Sequence, residues 1–195
     1  MPDLSFEQKL QGTICGIDEA GRGPLIGSVV AACVIIEDNI VLPAIDDSKK
    51  ISEKKRAELF DFIINNLKYG IGEATSTEID EINILNATML AMQRSYKNLA
   101  INCDYALIDG NKCPDLSCKS ISIIKGDSKS LSIAAASIVA KVTRDNMLIE
   151  LDKKHPEYGF AQHKGYGTKK HLQAIEKYGI IEQHRKSFAP IKGSV

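Results

Sequence analysis

The sequence predicts an α/β domain: a central mixed sheet with helices packed on its faces. Three observations lead there. Glycine-bounded, β-branched apolar runs follow one another early in the chain, and later runs of the same kind alternate with helical patterns. The 195 residues are 44% hydrophobic, enough to bury a sizeable core in one large domain or in a domain with a small appendage. No internal repeat or low-complexity linker interrupts the pattern.

The elements read in order. "TICGI" (13–17) is a short apolar strand ending in two acids, and "GSVVAACVII" (27–36) is a buried strand. "EDN" makes a turn. Ser52 caps a helix "EKKRAELFDFIINNL", whose apolar positions are Ala57, Phe60, Ile63, Ile64 and Leu67. "KYGIGEAT" is a weaker strand. A second helix covers about 84–100. "DYALID" (104–109) and "SISIIKGD" (120–127) are strands, and a long helix runs from about Lys129 to Lys153. Thr168 caps a last helix, stopped by Gly179.

Charge divides the chain. Residues 151–195 hold nine Lys/Arg against four acids, whereas residues 1–150 hold 16 basic and 21 acidic residues. The expected organisation is a core over 1–150 and a basic helical region over 151–195 packed on it. A basic tail on an acidic body suits nucleic-acid contact; a solvated basic helix has the same composition. Five cysteines, an odd number without a CxxC pair, indicate neither a disulfide framework nor a zinc ribbon. Cys15 and Cys33 lie in apolar runs and read as buried thiols. With no apolar signal segment and no run long enough to span a bilayer, a soluble cytoplasmic protein is the expectation.

Four acids stand out. Asp18, Glu19 and Asp109 fall at predicted strand ends, where α/β folds place ligand and metal sites. If the strands of Asp18 and Asp109 are neighbours, their carboxylates meet at one edge. Adjacent strand residues point to opposite faces, so Glu19 joins Asp18 only if the strand ends or twists there. On the long helix, Leu131, Ala135, Ile138, Val142 and Ile149 form an inward stripe. Asp145 falls toward its edge, and Arg144 points away. A buried carboxylate there needs a basic partner, a helix cap or a metal.

Any one of these acids alone reads as a turn-former or cap. Together they are a donor set for hard cations, and two such ions could clamp an in-line displacement at phosphorus. No nucleophile elbow or Walker loop competes, and the four histidines lack zincin spacing. Directly after the first acids, "GRGP" is a tight turn or a backbone that approaches phosphate or a ribose 2′-hydroxyl. "DDSKK", "KGDSKS" and "HKGYGT" are polar loops of similar character. Tyr166, in the last, stacks on a sugar or base, or is an ordinary core or surface tyrosine.

The segments "GIDEAGRGPLIG", "DSKKISEKKR", "EIDEINILNATMLAM", "LIDGN", "KGDSKSLSIAAASIVAKVTRD", "HPEYGFAQHKGYGTKKHL" and "HRKSFAP" resemble, in order, those of the ribonuclease HII family, in its bacterial branch. The resemblance covers nearly the whole chain after about residue 12. It implies a ribonuclease H-like fold, with a mixed five-stranded sheet flanked by helices and a helical C-terminal extension. It also implies an endonuclease of RNA–DNA hybrids and of single ribonucleotides in duplex DNA, leaving 5′-phosphate and 3′-hydroxyl ends.

Carried over by position, Asp18, Glu19, Asp109 and Asp145 match the catalytic, metal-binding acids, with Mg2+ or Mn2+ as a two-ion cofactor. Gly21, Arg22 and Gly23 match the 2′-hydroxyl-sensing loop, and Tyr166 the aromatic beside the junction sugar. Lys49, Ser137 and Lys141 fall in segments that touch backbone phosphates. Ser28 stands where the family usually has proline. A monomer acting in DNA replication and repair is expected. A resolvase or integrase on the same fold, and a silent hybrid-binding module, are the rivals; the motif spacing and the full set of acids count against them.

Overall fold

The computed structural model describes residues 1–37, 40, 43, 45 and 51–193. Five strands form one sheet in the order β3-β2-β1-β4-β5. They span Ile14–Ala20 (β1), Val29–Ile35 (β2), Lys68–Ala74 (β3), Tyr105–Asp109 (β4) and Lys119–Ile123 (β5). β1 runs antiparallel to β2, and β2 to β3, as consecutive strands joined on one side of the sheet allow. β1 is parallel to β4, and β4 to β5. β1 therefore lies at the centre, where antiparallel pairing gives way to parallel.

Strand alternation sorts the core onto the two faces. Cys15, Ile17, Val29, Ala31, Cys33, Ala106 and Ile108 pack on one face against α2 (Ser76–Leu99). Ala32 and Val34 face α1 (Glu53–Asn66) and α3 (Leu131–Lys154) on the other. Cys15 and Cys33 are buried free thiols, as expected from their apolar runs. Two short helices, α4 (Phe160–His163) and α5 (Lys169–Tyr178), follow α3. Among the described residues, no helix is long and apolar enough to cross a membrane.

Three expectations change. The second helix begins at Ser76, not near 84. Thr75 and Glu78 form a capping box, and the helix is broken at Asn83 (φ 66°), whose side chain re-caps it by accepting from the N–H groups of Leu85 and Asn86. β5 stops at Ile123 because Lys125 turns left-handed (φ 56°) and a 3-10 turn over Gly126–Ser128 follows. The inward stripe of α3 is the third. Ser132 to Ala140 are buried on every side, and beyond them the buried positions are Arg144, Asp145 and Leu148, not Val142 and Ile149. A small-residue run such as "AAASIVA" can be enclosed all round, so its periodicity carries no face. Arg144, expected to point outward, is 2% exposed.

Candidate active site

The register of β1 and β4 places the first acids. Ile17 stands opposite Ile108, so Asp18 and Asp109 lie one residue further along neighbouring parallel strands, on the face toward α3; Asp109 ends β4, whereas β1 runs on to Ala20, so Asp18 and Glu19 are not at the strand end the sequence suggested. Asp18 is buried. Its Oδ1 accepts the Glu19 N–H at 2.7 Å, and the Ser137 hydroxyl of α3 bonds the same carboxyl. Asp109 Oδ1 accepts the Gly126 N–H at 2.6 Å. A Cβ at residue 126 would crowd Ile133 and approach this carboxylate, so glycine is what lets the 3-10 turn close on the strand end.

Glu19 leaves the strand on the opposite side, as alternation requires. Beyond Ile17, however, β1 keeps its pairing with β2 while its pairing with β4 has ended. Glu19 lies beside that open edge and lines the same cleft as Asp18 and Asp109. The crowding is electrostatic as well as spatial. Burial pushes the Asp18 carboxyl well above the usual carboxylate range, and the charges of Glu19 and Asp109 push it the same way. Burial raises Glu19 too; Arg22, with Nη1 3.4 Å from Oε1, pulls it back, and Asp109 pushes it up again.

Ser137, Lys141 and Asp145 follow at four-residue steps on one face of α3. Ser137 and Lys141 line the cleft, which has a volume of about 320 Å³. Asp145 does not line it directly. Its partner is a basic side chain: Lys141 Nζ lies 2.7 Å from Oδ1. The other walls are Gly21, Arg22 and Gly23, the half-exposed Tyr166, and two residues that pattern reading missed, Arg56 of α1 and Arg144 of α3. Neither arginine had a signal in the hydrophobic periodicity. Lys49 lies outside the described residues.

The loop after β1 turns at Gly21 with φ +97°, a conformation L side chains rarely adopt, and a Cβ there would overlap the Arg144 side chain. The segment after α3 closes over this loop. Leu25 N–H donates to the Gly165 carbonyl, and Gly27 N–H to that of Gln183. A Cβ added at Gly23 would come into van der Waals contact with the Tyr166 ring. The Tyr166 carbonyl receives His171 Nδ1–H at 3.0 Å, so His171 Nε2 accepts from His184 Nε2–H at 3.1 Å. His184 Nδ1 in turn accepts the Ile181 N–H at 2.9 Å. Both rings are therefore neutral. Burial holds His171 below its ordinary range and His184 at about 4.

Among the described residues, no three His, Cys, Asp or Glu side chains converge closely enough to enclose a cation by themselves. The donor set still suits a hard divalent ion. Such ions keep several waters and bind through one or two carboxylates plus substrate phosphates. Three mutually repelling carboxylates, with the most buried of them raised by its neighbours' charge, are what a cation relieves.

The ribonuclease HII family pattern matches residues 15–191. The chain is 55% identical over 180 residues to Ribonuclease HII of Psychromonas ingrahamii, covering 92% of this chain and 88% of that one. It is 52% identical over 194 residues to Ribonuclease HII of the Wolbachia of Brugia malayi, covering 99% and 96%. Its structure is similar to the crystal structure of ribonuclease H2 from Pyrococcus horikoshii, with a TM-score of 0.77, 27% identity, and 93% and 96% of the two chains covered. A mixed five-stranded sheet that gathers three acids of neighbouring strands beside a glycine–arginine loop thus comes with near full-length family identity: the chain belongs to the ribonuclease HII family and is a ribonuclease H.

Proposed function

We propose that the chain is a metal-dependent endonuclease that cuts the RNA strand of RNA–DNA hybrids and also incises at single ribonucleotides embedded in duplex DNA, leaving 5′-phosphate and 3′-hydroxyl ends. One observation carries this reading. The cleft that holds Asp18, Glu19 and Asp109 is also walled by Gly21, Arg22, Gly23 and Tyr166. Acids suited to phosphodiester chemistry thus adjoin a backbone and an aromatic ring suited to a single sugar.

Each group has a part. Asp18, Glu19 and Asp109 would hold Mg2+ or Mn2+, and Asp145, here paired with Lys141, would complete the set. When bound, the ions supply an activated water and stabilise charge at phosphorus and on the leaving 3′-oxygen. Ser137 fixes the Asp18 carboxyl, and the Gly126 N–H fixes Asp109. Arg22, Arg56 and Lys141 face the strand's phosphates. Gly21 to Gly23 read the 2′-hydroxyl, and Tyr166 supports the sugar. The basic residues of 151–195 hold the duplex.

The test is a DNA duplex with one embedded ribonucleotide, incubated with magnesium or manganese. Incision on the 5′ side of the ribose or at its 3′ phosphodiester is mapped, and the new ends are typed by kinase and phosphatase treatment. A 5′-phosphate and a 3′-hydroxyl are expected. Intact duplex, or cyclic-phosphate ends, would refute the proposal.

A further inference from the structure

Two arginines lie buried around the glycine–arginine loop, with Asp145 and Asp80 near enough to act on them through charge but not in contact. Arg185 is 0% exposed and Arg144 is 2% exposed. Among the described residues, neither forms an ion pair. Each spends its guanidinium on main-chain carbonyls instead. Arg185 Nε donates to Gly27 O at 2.9 Å, Nη1 to Arg22 O and Pro24 O at 3.0 and 2.8 Å, and Nη2 to Gly21 O at 2.6 Å. Arg144 donates to the carbonyls of Ser28, Lys164 and Ile26 at 3.3, 3.1 and 3.1 Å. Burying a cation against neutral acceptors is costly and stabilises a fold poorly for its expense. Six of these seven hydrogen bonds are directed at one short stretch of main chain, residues 21–28, and specify its shape.

That shape has a chemical consequence. In a trans peptide the N–H points opposite to the C=O. With the carbonyls of Gly21 and Arg22 turned inward onto Arg185, the N–H groups of Arg22 and Gly23 turn the other way, on residues that wall the cleft. Arg185 is itself held in place. Asp80 of α2 accepts from the N–H groups of Lys186 and Ser187 at 2.9 and 2.8 Å and from the Ser187 hydroxyl at 2.6 Å.

We infer that Arg185, supported by Arg144 and anchored through Asp80, is a positioning residue for ribose recognition: it turns the loop's carbonyls inward so that its N–H donors meet the 2′-hydroxyl. It touches no substrate and acts through Gly21 to Gly23. The inference rests on the proposed ribose-sensing role of that loop.

The experiment measures binding, with calcium replacing magnesium, to two duplexes of one sequence. One is all-deoxy and the other carries a single ribonucleotide. The proteins are wild type, Arg185→Lys, Arg144→Lys and Asp80→Ala, the last leaving both arginines present. A site built to bond a hydroxyl loses discrimination when its donors shift, so a fall of about tenfold or more in ribose preference is expected for the folded variants, with all-deoxy affinity unchanged in Arg185→Lys and Asp80→Ala. Wild-type preference in the folded variants would overturn the inference. So would failure of all three to fold, which would assign the arginines to the fold alone. A wild type with no ribose preference would instead refute the loop's proposed role.

Discussion

Lys141 holds Asp145 in an ion pair of 2.7 Å, one helical turn apart on the face of α3 that also presents Ser137 to Asp18. The lysine stands where a cation would compete with it. Replacing it by an isosteric apolar side chain, Lys141→Met, removes that competitor and one positive charge from the cleft. Metal binding without substrate should tighten by about threefold to tenfold, the effect of a partly screened charge a few ångströms away. Turnover should fall if Lys141 meets phosphate. Isothermal titration with Mn2+ reads the first effect; weaker binding in the variant would contradict it.

Asp18 makes the fold pay for its site. Burial and neighbouring charge raise its carboxyl well above its ordinary 3.8. Between that value and its folded value the native state holds a proton that the unfolded chain has released, so this group makes stability fall as pH rises. Asp18→Asn removes the penalty, and its amide oxygen can still accept from Glu19 N–H and Ser137. Metal-free Asp18→Asn should melt higher than wild type at pH 7 by about 2–4 °C for each kcal/mol relieved, while losing activity. A lower melting point would contradict the account.

The neutral His171–His184 pair gives stability the opposite slope. His184 is held at about 4 against an ordinary 6.5. Its contribution is fully present above pH 6.5 and is lost as pH falls toward 4, because the unfolded chain takes up the proton first. The loss is on the order of 3 kcal/mol. Urea unfolding of wild type and His184→Gln, compared at pH 7 and pH 4.5, isolates it from Asp18. The variant should be the less pH-dependent of the two; equal dependence would show that His184 does not titrate as described.

Gly21→Ala should abolish ribose-directed cutting with little loss of duplex affinity. The residue sits at φ +97°, and its Cβ would overlap Arg144. A loop displaced by even an ångström costs about 100-fold in rate. Comparing kcat and KM on hybrid and single-ribonucleotide substrates checks this, and a change confined to KM would contradict it.

The sheet was legible because β-branched runs between glycines have few other ways to bury themselves. So was the meeting of Asp18 with Asp109, since each follows an apolar strand run, although β1 continues past Asp18 to Ala20. The answer for Glu19 was not, because it depends on where β4 stops pairing with β1 rather than on residue type. Arg144 and Arg185 were equally hidden. Charge predicts exposure, and only the folded main chain reveals carbonyls gathered around a buried guanidinium. The α2 extension was readable in principle from Thr75-x-x-Glu78, but Asn83 breaks its apolar period.

The central claim is that the carboxylates of β1 and β4 in the cleft cut through a bound divalent ion. Asp109→Asn tests it most directly, because it removes one charge at nearly constant shape. Wild type and variant are compared for cleavage of an RNA–DNA hybrid and for thermal shift with magnesium. The account predicts a rate lower by about 10²–10³-fold or more, together with loss of the metal-induced stabilisation it expects of wild type. A variant that cuts at the wild-type rate, or is stabilised by magnesium to the same degree, would contradict it.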